Sequence, residues 1–300
     1  MIDIHTHLGY HELFPHYFLD GITGSLFSEL PREDQTASSR SVLANVVKHA
    51  LNDRHATKLV RQATKAGVEK SVLLVVDFEY GTNSESELEH LDWIHKYHAE
   101  VASRHSDKLL VFAGIDPRRG RKGLELFEKC ISGYGCRGLK LYPPCGFEID
   151  SPELFPYYDL CMSRGLPVLT HTGPSVPGMH LPSDYPESVL RVAREFRELV
   201  LILAHAGILY IDSALDVARC TANVYLDISG FQKESRDVLE GKLAKLVTEI
   251  PERILYGSDW PLFNFGVTQD HWISVLSEMR CLNDQNRELL YWKNAQRIIA

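Results

Sequence analysis

The fold is decided by a strand–helix–strand pattern that is clearest in residues 167–205, PVLTHTGPSVPGMHLPSDYPESVLRVAREFRELVLILAH. The pattern begins with the apolar run Pro167–His171 and ends with a second run, Leu199–His205. Between the two runs, Leu190 and Ala193 follow helical spacing. Both runs are almost continuously apolar, which is typical of strands that are covered on both faces in a parallel sheet.

The same pattern extends in both directions along the chain. Six further apolar runs, rich in β-branched residues, alternate with helical segments. They are Ile2–His5, Ser71–Val76, Leu109–Ile115, Arg137–Tyr142, Asn223–Ser229 and Arg253–Gly257. Eight strands favour a closed (β/α)₈ TIM barrel over an open doubly wound sheet, which usually has about six strands. We therefore predict a single α/β domain that spans residues 1–300.

One long segment interrupts this order. Residues 9–52 separate the first strand from the next helix–strand unit, and they include Tyr10, Phe14 and Phe18. A connection longer than about 15 residues is usually functional or disordered. Two interpretations stay open: the segment is a partly helical flap over one end of the barrel, or its aromatic side chains simply pack against the barrel rim.

Composition excludes several classes of protein. The chain has 32 Lys and Arg against 40 Asp and Glu, a net charge of −8, and such an acidic chain is a poor nucleic-acid binder. No apolar run is long enough to span a membrane, and the N-terminus lacks the features of a signal peptide. Six scattered cysteines without a C-x-x-C pair indicate a reducing compartment. We expect a cytoplasmic protein without a nucleotide cofactor; assembly as a homodimer is left open.

The first strand carries two histidines in the segment Asp3-Ile4-His5-Thr6-His7. Alternation along a strand places His5 and His7 on one side, roughly 6.5–7 Å apart along the backbone. Their imidazoles can converge on one ion, although a pair of ordinary buried histidines would look the same in the sequence.

Four other strands also carry an ionisable residue inside or just after an apolar run. These residues are Lys140, His171, His205 and Asp259. Burying such groups without a partner is costly. In a TIM barrel all of these strand ends lie on one face, where active sites form. Imidazole and carboxylate groups gathered there predict a site for a divalent transition metal.

Together these segments resemble the amidohydrolase superfamily over essentially the whole chain. The matching motifs are D-I-H-T-H, G-L-K-L-Y-P, L-T-H-T-G, L-A-H-A-G, Y-G-S-D-W-P and K-N-A-Q-R. The sequence is most similar to the branch of small barrels that includes aminocarboxymuconate semialdehyde decarboxylase, resorcylate decarboxylase and various lactone hydrolases. The resemblance implies a (β/α)₈ barrel, in agreement with the strand count.

The resemblance also implies roles for individual residues. His5, His7 and Asp259 would bind the more buried metal, with His171 as a further ligand. Asp259 would also act as the proton shuttle, which accepts a proton from activated water and delivers it to the leaving group. His205 would either bind a second metal or act as a free imidazole that polarises the substrate or transfers protons.

Lys140 separates two arrangements of the metal site. In two-metal members of the superfamily a strand lysine is carboxylated and bridges the ions, whereas the decarboxylases use one metal and no such lysine. An unmodified Lys140 would instead bind a substrate carboxylate or form a salt bridge. The expected cofactor is therefore one or two divalent ions, zinc first and manganese second. Asp3 would either orient an imidazole from behind the ligands or lie at the strand start without a role.

Two smaller groups of residues have simpler expectations. Arg118 and Arg119 follow the third strand and could hold a substrate carboxylate, but their basic surroundings favour a solvated turn. His90, His95 and His98 lie in a helical segment and are expected to face solvent.

The sequence predicts a metal-dependent hydrolase that uses activated water on an amide, lactone or ester-like bond of a small molecule. The alternative is a metal-dependent, non-oxidative decarboxylase of a small unsaturated or aromatic acid. A third hypothesis is a metal-binding barrel without catalytic activity, which the apparent proton shuttle disfavours. Loop residues determine which substrate binds, and the sequence alone does not give their positions in space.

Overall fold

Eight short strands form one sheet in which each strand pairs in parallel with the next along the chain. The computed structural model describes residues 1–78, 88–181, 185–262 and 267–299. The strands are β1 (Ile2–Thr6), β2 (Lys70–Leu74), β3 (Leu109–Gly114), β4 (Leu139–Leu141), β5 (Val168–Thr170), β6 (Leu201–Leu203), β7 (Val224–Asp227) and β8 (Ile254–Leu255). Every predicted apolar run overlaps one of them, and the bounds differ by at most a few residues.

The sheet curls into a nearly closed barrel because the chain beyond β8 returns to β1. The backbone N–H of Ile4 donates to the carbonyl of Tyr256 at 3.0 Å, and that of Asp259 donates to the carbonyl of His5 at 2.7 Å. Helices lie between the strands, so the predicted TIM barrel is confirmed. The second of these hydrogen bonds also fixes the position of Asp259 beside the two strand histidines.

The helices follow the expected alternation. They are α1 (His16–Ser28), α2 (Ala37–Ala50), α3 (Thr57–Lys65), α4 (Leu88–Ser103), α5 (Gly120–Tyr134), α6 (Phe155–Arg164), α7 (Glu187–Glu195), α8 (Ile211–Cys220), α9 (Arg236–Glu249), α10 (Gln269–Ser277), α11 (Asp284–Glu288) and α12 (Asn294–Ile299). A π-helical turn, Leu289–Lys293, joins the last two. None of the helices in the described ranges is long and apolar enough to cross a membrane.

The long segment after β1 folds as two helices, α1 and α2, that pack against each other. Its two ends meet where Tyr10 and Asn52 form an isolated antiparallel bridge. The carbonyl of Leu51 also accepts from the N–H of His11 at 3.0 Å. The segment is therefore an excursion from the barrel that returns to its starting point. Its helices agree with a partly helical segment, and its position as a flap over one end of the barrel stays a prediction.

Two apolar clusters stabilise the barrel. The smaller cluster brings together Val72, Phe112, Leu169 and Ile202 from four different strands, which only the barrel interior can do. Ile298 of α12 joins this cluster. The larger cluster fills the layer between the strands and the surrounding helices. The residues predicted for the metal centre lie within or just after the strands, towards their carboxyl ends.

Candidate active site

The residues predicted for a metal centre lie together at the carboxyl ends of the strands. They are His5, His7, Lys140, His171, His205 and Asp259. Five of them are buried, while His171 borders a cavity and is partly exposed. The parallel register places Lys140 level with Leu169, a member of the interior cluster, so Lys140 faces inward. The structure brings the predicted residues together, and their chemical roles remain predictions.

In both His5 and His7, a contact of the ring nitrogen Nδ1 fixes the direction in which Nε2 of the same ring points. Nδ1 of His7 lies 3.0 Å from the carbonyl oxygen of Leu74, and Nδ1 of His5 lies 3.0 Å from a carboxylate oxygen of Asp227. A carbonyl or a carboxylate oxygen accepts, so both Nδ1 atoms donate. Each Nε2 therefore keeps its lone pair, and both point toward Asp259. Metal-binding histidines are held in this way by carbonyl or carboxylate partners.

The three atoms that face each other fit a divalent metal. Oδ1 of Asp259 lies 3.5 Å from Nε2 of His5 and 3.2 Å from Nε2 of His7. Three electron-rich atoms this close repel one another unless a cation lies between them. Ligands about 2.0–2.1 Å from a tetrahedral ion are about 3.3–3.4 Å apart, close to these separations. His5, His7 and Asp259 are thus a candidate metal centre.

The backbone conformation is strained at two of the site residues, His205 and Asp259. Asp259 has φ of +50°, and His205 has φ of +60°, followed by Ala206 and Ile208 at +44° and +47°. Residues other than glycine rarely adopt this left-handed conformation, which costs of order 1–3 kcal/mol each. Such strain clusters at functional sites, and here it turns His205 and Asp259 toward the centre of the barrel mouth.

His171 and His205 form a second pair of imidazoles beside the metal centre. Nε2 of His205 lies 3.3 Å from Nδ1 of His171, and Tyr142 packs against the His171 ring with centroids 4.8 Å apart. Burial lowers the pKa of both histidines below the ordinary value. Nε2 of His171 is buried and has no hydrogen-bond partner among the described residues. It is therefore available to a ligand.

Sequence reasoning missed Asp227, which lies at the end of β7 and is fully buried. One of its oxygens contacts Nδ1 of His5, and the other accepts from Ser229, through the backbone N–H at 2.9 Å and through the hydroxyl. Burial raises the pKa of Asp227, but the His5 imidazole and the Ser229 hydroxyl outweigh it, and the net pKa lies below the ordinary value. The rule that selected Asp259, a carboxylate after an apolar strand, would also have selected Asp227.

Of the two interpretations of Asp3, the orientation of an imidazole was wrong. Among the described residues Asp3 contacts no imidazole ring: it accepts from the backbone N–H groups of His5 at 3.2 Å and Ser258 at 3.0 Å, and from the side chain of Gln269 at 2.9 Å. Burial raises its pKa to about 7, although these hydrogen bonds oppose the shift. Asp3 thus ties β1 to the chain after β8, and Asp227 is the carboxylate that orients His5.

Lys140 lies among these residues with its amine buried. Its Nζ atom is buried and has no hydrogen-bond partner among the residues that the structure describes. Burial lowers its pKa to about 8, while the charges of Asp259 and Asp227 oppose this shift. An amine in this environment is neutral more often than a surface lysine is, so both of the sequence-based alternatives, carboxylated bridge and unmodified lysine, stay open.

A cavity of about 630 Å³ opens above these residues, within the size range of small-molecule sites. Its lining includes His171, His205 and Asp259, together with Phe18 and Ile22 of α1. The remaining walls combine aliphatic and aromatic groups with a few polar ones: Ser25, Leu26, Glu29, Tyr142, Pro174, Ser175, Val176, Ile208, Gln232, Lys233, Leu262 and Val267. A small, largely apolar molecule with a few polar substituents fits this lining.

The expected solvation of Arg119 was wrong. Its guanidinium is buried and holds both oxygens of Asp77, at 2.6 and 2.8 Å. Arg118 pairs with Asp116 in a similar two-point contact and donates to the carbonyl of Cys145 at 2.8 Å. Neither arginine lines the cavity described above. The two carboxylates that pair with them follow neighbouring strands, a juxtaposition that only the barrel register creates.

The exposure expected for His95 and His98 was also wrong, whereas His90 is exposed as predicted. His95 donates from Nδ1 to the carbonyl of Leu91 and accepts at Nε2 from the N–H of Gly114. The buried positions of α4 recur every three or four residues, and both histidines fall on that face. The helical period would have identified them as core residues.

The fold and the site together define a class of protein: TIM barrels that can hold a metal ion among histidine and carboxylate ligands at the strand ends. Within this class, the sequence matches the family described as Amidohydrolase over residues 2–299. The chain belongs to this family, so the resemblance noted in the sequence is confirmed. A search of curated proteins found no match to this sequence.

Solved structures of similar shape include several decarboxylases. 5-Carboxyvanillate decarboxylase from Sphingomonas paucimobilis is 12% identical with a TM-score of 0.69, and the match covers 100% of this chain and 98% of that one. 2,6-Dihydroxybenzoate decarboxylase from Rhizobium is 16% identical with a TM-score of 0.67, covering 99% and 97%. Dihydroxybenzoic acid decarboxylase from Polaromonas sp. JS666, solved with manganese and the inhibitor 2-nitroresorcinol, is 17% identical with a TM-score of 0.66, covering 99% and 96%.

The comparisons therefore establish the family and the barrel fold. They are consistent with an enzyme and with a divalent metal, but they do not specify zinc. At these identities the structural likeness establishes the fold alone.

Proposed function

We propose that this protein is a metal-dependent, non-oxidative decarboxylase of a small aromatic or unsaturated carboxylic acid. The observation that carries the proposal is the cavity. Its lining combines apolar and aromatic side chains with Asp259, His205 and His171. The decarboxylases with the same fold support the reaction class.

The walls suit a flat, conjugated acid better than a flexible polar one. Phe18 and Tyr142 offer aromatic faces, and Ile22 and Leu262 add aliphatic surface. The hydroxyl of Tyr142 lies 2.6 Å from that of Ser175, so a hydroxyl pair borders the apolar walls. A ring substituent such as a phenolic hydroxyl would find a hydrogen-bond partner there.

Decarboxylation breaks the bond between the carboxylate carbon and its neighbour, and the electron pair stays on the remaining carbon. That carbon must then take up one proton, so the products are CO₂ and the protonated ring or alkene. A bound divalent metal would supply Lewis acidity toward the acid or hydroxyl oxygens of the substrate. Asp259 and His205 both line the cavity, and we assign to them the holding and delivery of that proton.

Hydrolysis remains the second candidate because of Lys140. A buried amine near the candidate ligands, with no hydrogen bond to any described residue, is what a carboxylated, metal-bridging lysine would require. In that case Asp259 would serve as the proton shuttle of an amide or lactone hydrolase. The cofactor would then be two ions instead of one, with zinc and manganese both suited to the imidazole and carboxylate donors.

The test is a substrate panel assayed with added Mn²⁺ or Zn²⁺. Hydroxybenzoic and other unsaturated acids are scored for CO₂ release, and lactones and amides are scored for hydrolysis. We expect CO₂ release from at least one acid. Asp259→Asn should lower kcat by about 10²–10⁴-fold, the usual contribution of a general acid or base. Asp237→Asn, an exposed carboxylate of α9, is the matched control and should retain activity.

Two results would contradict the proposal. Turnover of lactones or amides without any CO₂ release would establish the hydrolase instead. A near-normal kcat of Asp259→Asn on the true substrate would show that Asp259 does not transfer the proton.

We also propose a cytoplasmic location and no disulfide bonds. The six cysteines are free, and four of them are buried within the fold. Free buried thiols suit a reducing compartment. Assembly as a homodimer stays an expectation that sedimentation of the purified protein would test.

A further inference from the structure

Asp227 and Ser229 connect the two pairs of imidazoles that face the cavity and the candidate metal centre. Both residues are fully buried at the end of β7. We propose that they are positioning residues, which fix the tautomers of His5, His205 and His171 so that each Nε2 keeps its lone pair. The proposal rests on the candidate metal site but not on which reaction the enzyme performs.

The first link runs from Asp227 to His5. One oxygen of Asp227, Oδ1, accepts from the backbone N–H of Ser229 at 2.9 Å and of His205 at 3.3 Å. The other oxygen, Oδ2, faces only Nδ1 of His5 within hydrogen-bond distance, at 3.0 Å, among the contacts that the described residues make. A carboxylate only accepts, so the proton of His5 must lie on Nδ1. Its Nε2 is then unprotonated and carries a lone pair.

The second link runs from Asp227 through Ser229 to His205. The Ser229 hydroxyl donates its single proton to Oδ1 of Asp227. The oxygen Oγ can then only accept, and it lies 2.9 Å from Nδ1 of His205. The carbonyl of Ser229, a second acceptor, lies 3.2 Å from the same nitrogen. Nδ1 of His205 therefore carries the proton.

The third link runs from His205 to His171 and fixes which nitrogen of His171 carries the proton. Since Nδ1 of His205 is protonated, Nε2 of the neutral ring is an acceptor, and Nδ1 of His171 lies 3.3 Å from it. His171 therefore donates from Nδ1. Its Nε2, the buried atom without a partner among the described residues, keeps a lone pair for a metal or a substrate. One carboxylate thus orients three rings from three strands.

The substitution Asp227→Asn should move the proton of His5 from Nδ1 to Nε2. The Oδ1 position must stay an oxygen, because two backbone N–H groups donate to it. The new NH₂ group must then face Nδ1 of His5. Two donors cannot share a hydrogen bond, so the proton of His5 should move to Nε2, where it blocks the metal.

The first measurement is nitrogen NMR of the imidazoles in the metal-free wild-type protein at mildly alkaline pH, with signals assigned by single His→Gln variants. We expect His5, His205 and His171 to be protonated on Nδ1. An Nε2–H form at His5 would overturn the proposal. Because this measurement uses the native chain, it stands even where a variant fails to fold.

The second measurement compares variants by NMR and by Zn²⁺ affinity in a chelator competition. Asp227→Asn should move the His5 proton to Nε2 and weaken Zn²⁺ binding about 10–100-fold, as usual for partners of metal-bound histidines. Asp3→Asn removes a buried carboxylate of the same barrel end that contacts no ring. It is the matched control and should leave the His5 tautomer and the affinity near wild type.

The role of Ser229 is tested with Ser229→Ala against Ser258→Ala, a buried serine whose hydroxyl contacts Trp260 and Gln269 and no imidazole within the described part of the chain. Ser229→Ala should add an Nε2–H population at His205 and leave His5 unchanged, whereas Ser258→Ala should alter neither ring. An unchanged His205 would overturn the role of Ser229.

Weaker Zn²⁺ binding in Asp227→Asn with His5 still protonated on Nδ1 would mean that Asp227 binds the ion itself, a role that its closeness to His5 and His205 permits. That result would overturn the proposal. Neither measurement uses a substrate, so failure of the decarboxylase assignment would leave this test intact.

Discussion

Lys140 is the single residue that best separates the two candidate reactions. Its amine is fully buried within a group of candidate ligands and makes no hydrogen bond to the described residues. A carboxylated lysine would add two oxygen ligands and a negative charge at this point. An unmodified lysine would instead leave a positive charge, or a neutral amine, beside Asp259 and Asp227. The number of bound metal ions reports which state is present.

We expect Lys140→Met to retain the metal content of the wild type, because the proposed decarboxylase needs only the centre formed by His5, His7 and Asp259. Elemental analysis of the purified proteins checks this. Lys233→Met, at the exposed rim of the cavity, is the control for loss of a lysine. Loss of one metal equivalent in Lys140→Met alone, with partial rescue of activity by acetate, would instead support the carboxylated bridge and hydrolysis.

Among the elements, helix α1 lines one side of the cavity. Two of its glycines differ sharply in their surroundings. A Cβ atom at Gly21 would lie 2.7 Å from two side-chain carbons of Val176, whereas a Cβ at Gly24 would have only the Arg40 guanidinium nearby, at 4.0 Å. Gly21 therefore permits the close approach of α1 to the loop after β5, and Gly24 has no such function.

We expect Gly21→Ala to push α1 away from Val176, to lower the free energy of unfolding by about 1–3 kcal/mol and to raise KM. Gly24→Ala should stabilise the protein by about 0.5–1 kcal/mol, since alanine is the better helix former. Denaturant unfolding and steady-state kinetics measure both effects. Equal stabilisation by the two substitutions would show that α1 does not pack as tightly as described.

Helix α4 contributes a pH dependence to stability. Burial lowers the pKa of His98 to about 4 from an ordinary value of 6.5. In the unfolded chain the ring takes up a proton as the pH falls below about 6.5, but in the folded protein it stays neutral down to about 4. The free energy of unfolding should therefore decrease over this interval, by up to about 3 kcal/mol.

His98→Leu, which places an apolar side chain at this buried position, should reduce the dependence between pH 6.5 and 4, to which His171 and His205 also contribute. The comparison is made by denaturant unfolding of both proteins in the presence of a chelator, because His98 lies near His7. The same slope in both proteins would mean that His98 is not the group responsible.

At the scale of the whole molecule, the fold and the candidate metal centre use different residues. The barrel interior and the layer under the helices consist mainly of apolar side chains, while the candidate ligands His5, His7 and Asp259 lie towards the carboxyl ends of the strands. The metal should therefore add stability by binding the folded state without being required for folding. The expected gain is about 3 kcal/mol at a hundredfold excess of metal over Kd.

We expect chelation to leave the circular dichroism spectrum unchanged and to lower Tm. His7→Ala should behave as the chelated wild type and show no response to added metal. His49→Ala, an exposed histidine of α2, is the control and should respond as the wild type does. Loss of secondary structure on chelation would show that the metal is part of the folding core.

The sequence by itself determined the barrel and most of the site. Eight apolar runs separated by helical segments leave few alternatives to a parallel barrel. An ionisable residue at the end of an apolar strand is too costly to bury without a function or a partner, which is why Lys140, His171, His205 and Asp259 could be selected. These signals are local, so neighbouring residues in the chain suffice to read them.

Only the tertiary structure decided which groups contact each other. Asp227 orients His5 from 222 positions away in the chain, and Asp77 pairs with Arg119 because β2 and β3 are neighbours in the sheet. Such pairs depend on register and barrel closure, which no local pattern contains. For the same reason Asp3 was assigned a contact that Asp227 makes. The choice between hydrolysis and decarboxylation also depends on the cavity walls, which helices and loops distant in sequence build together.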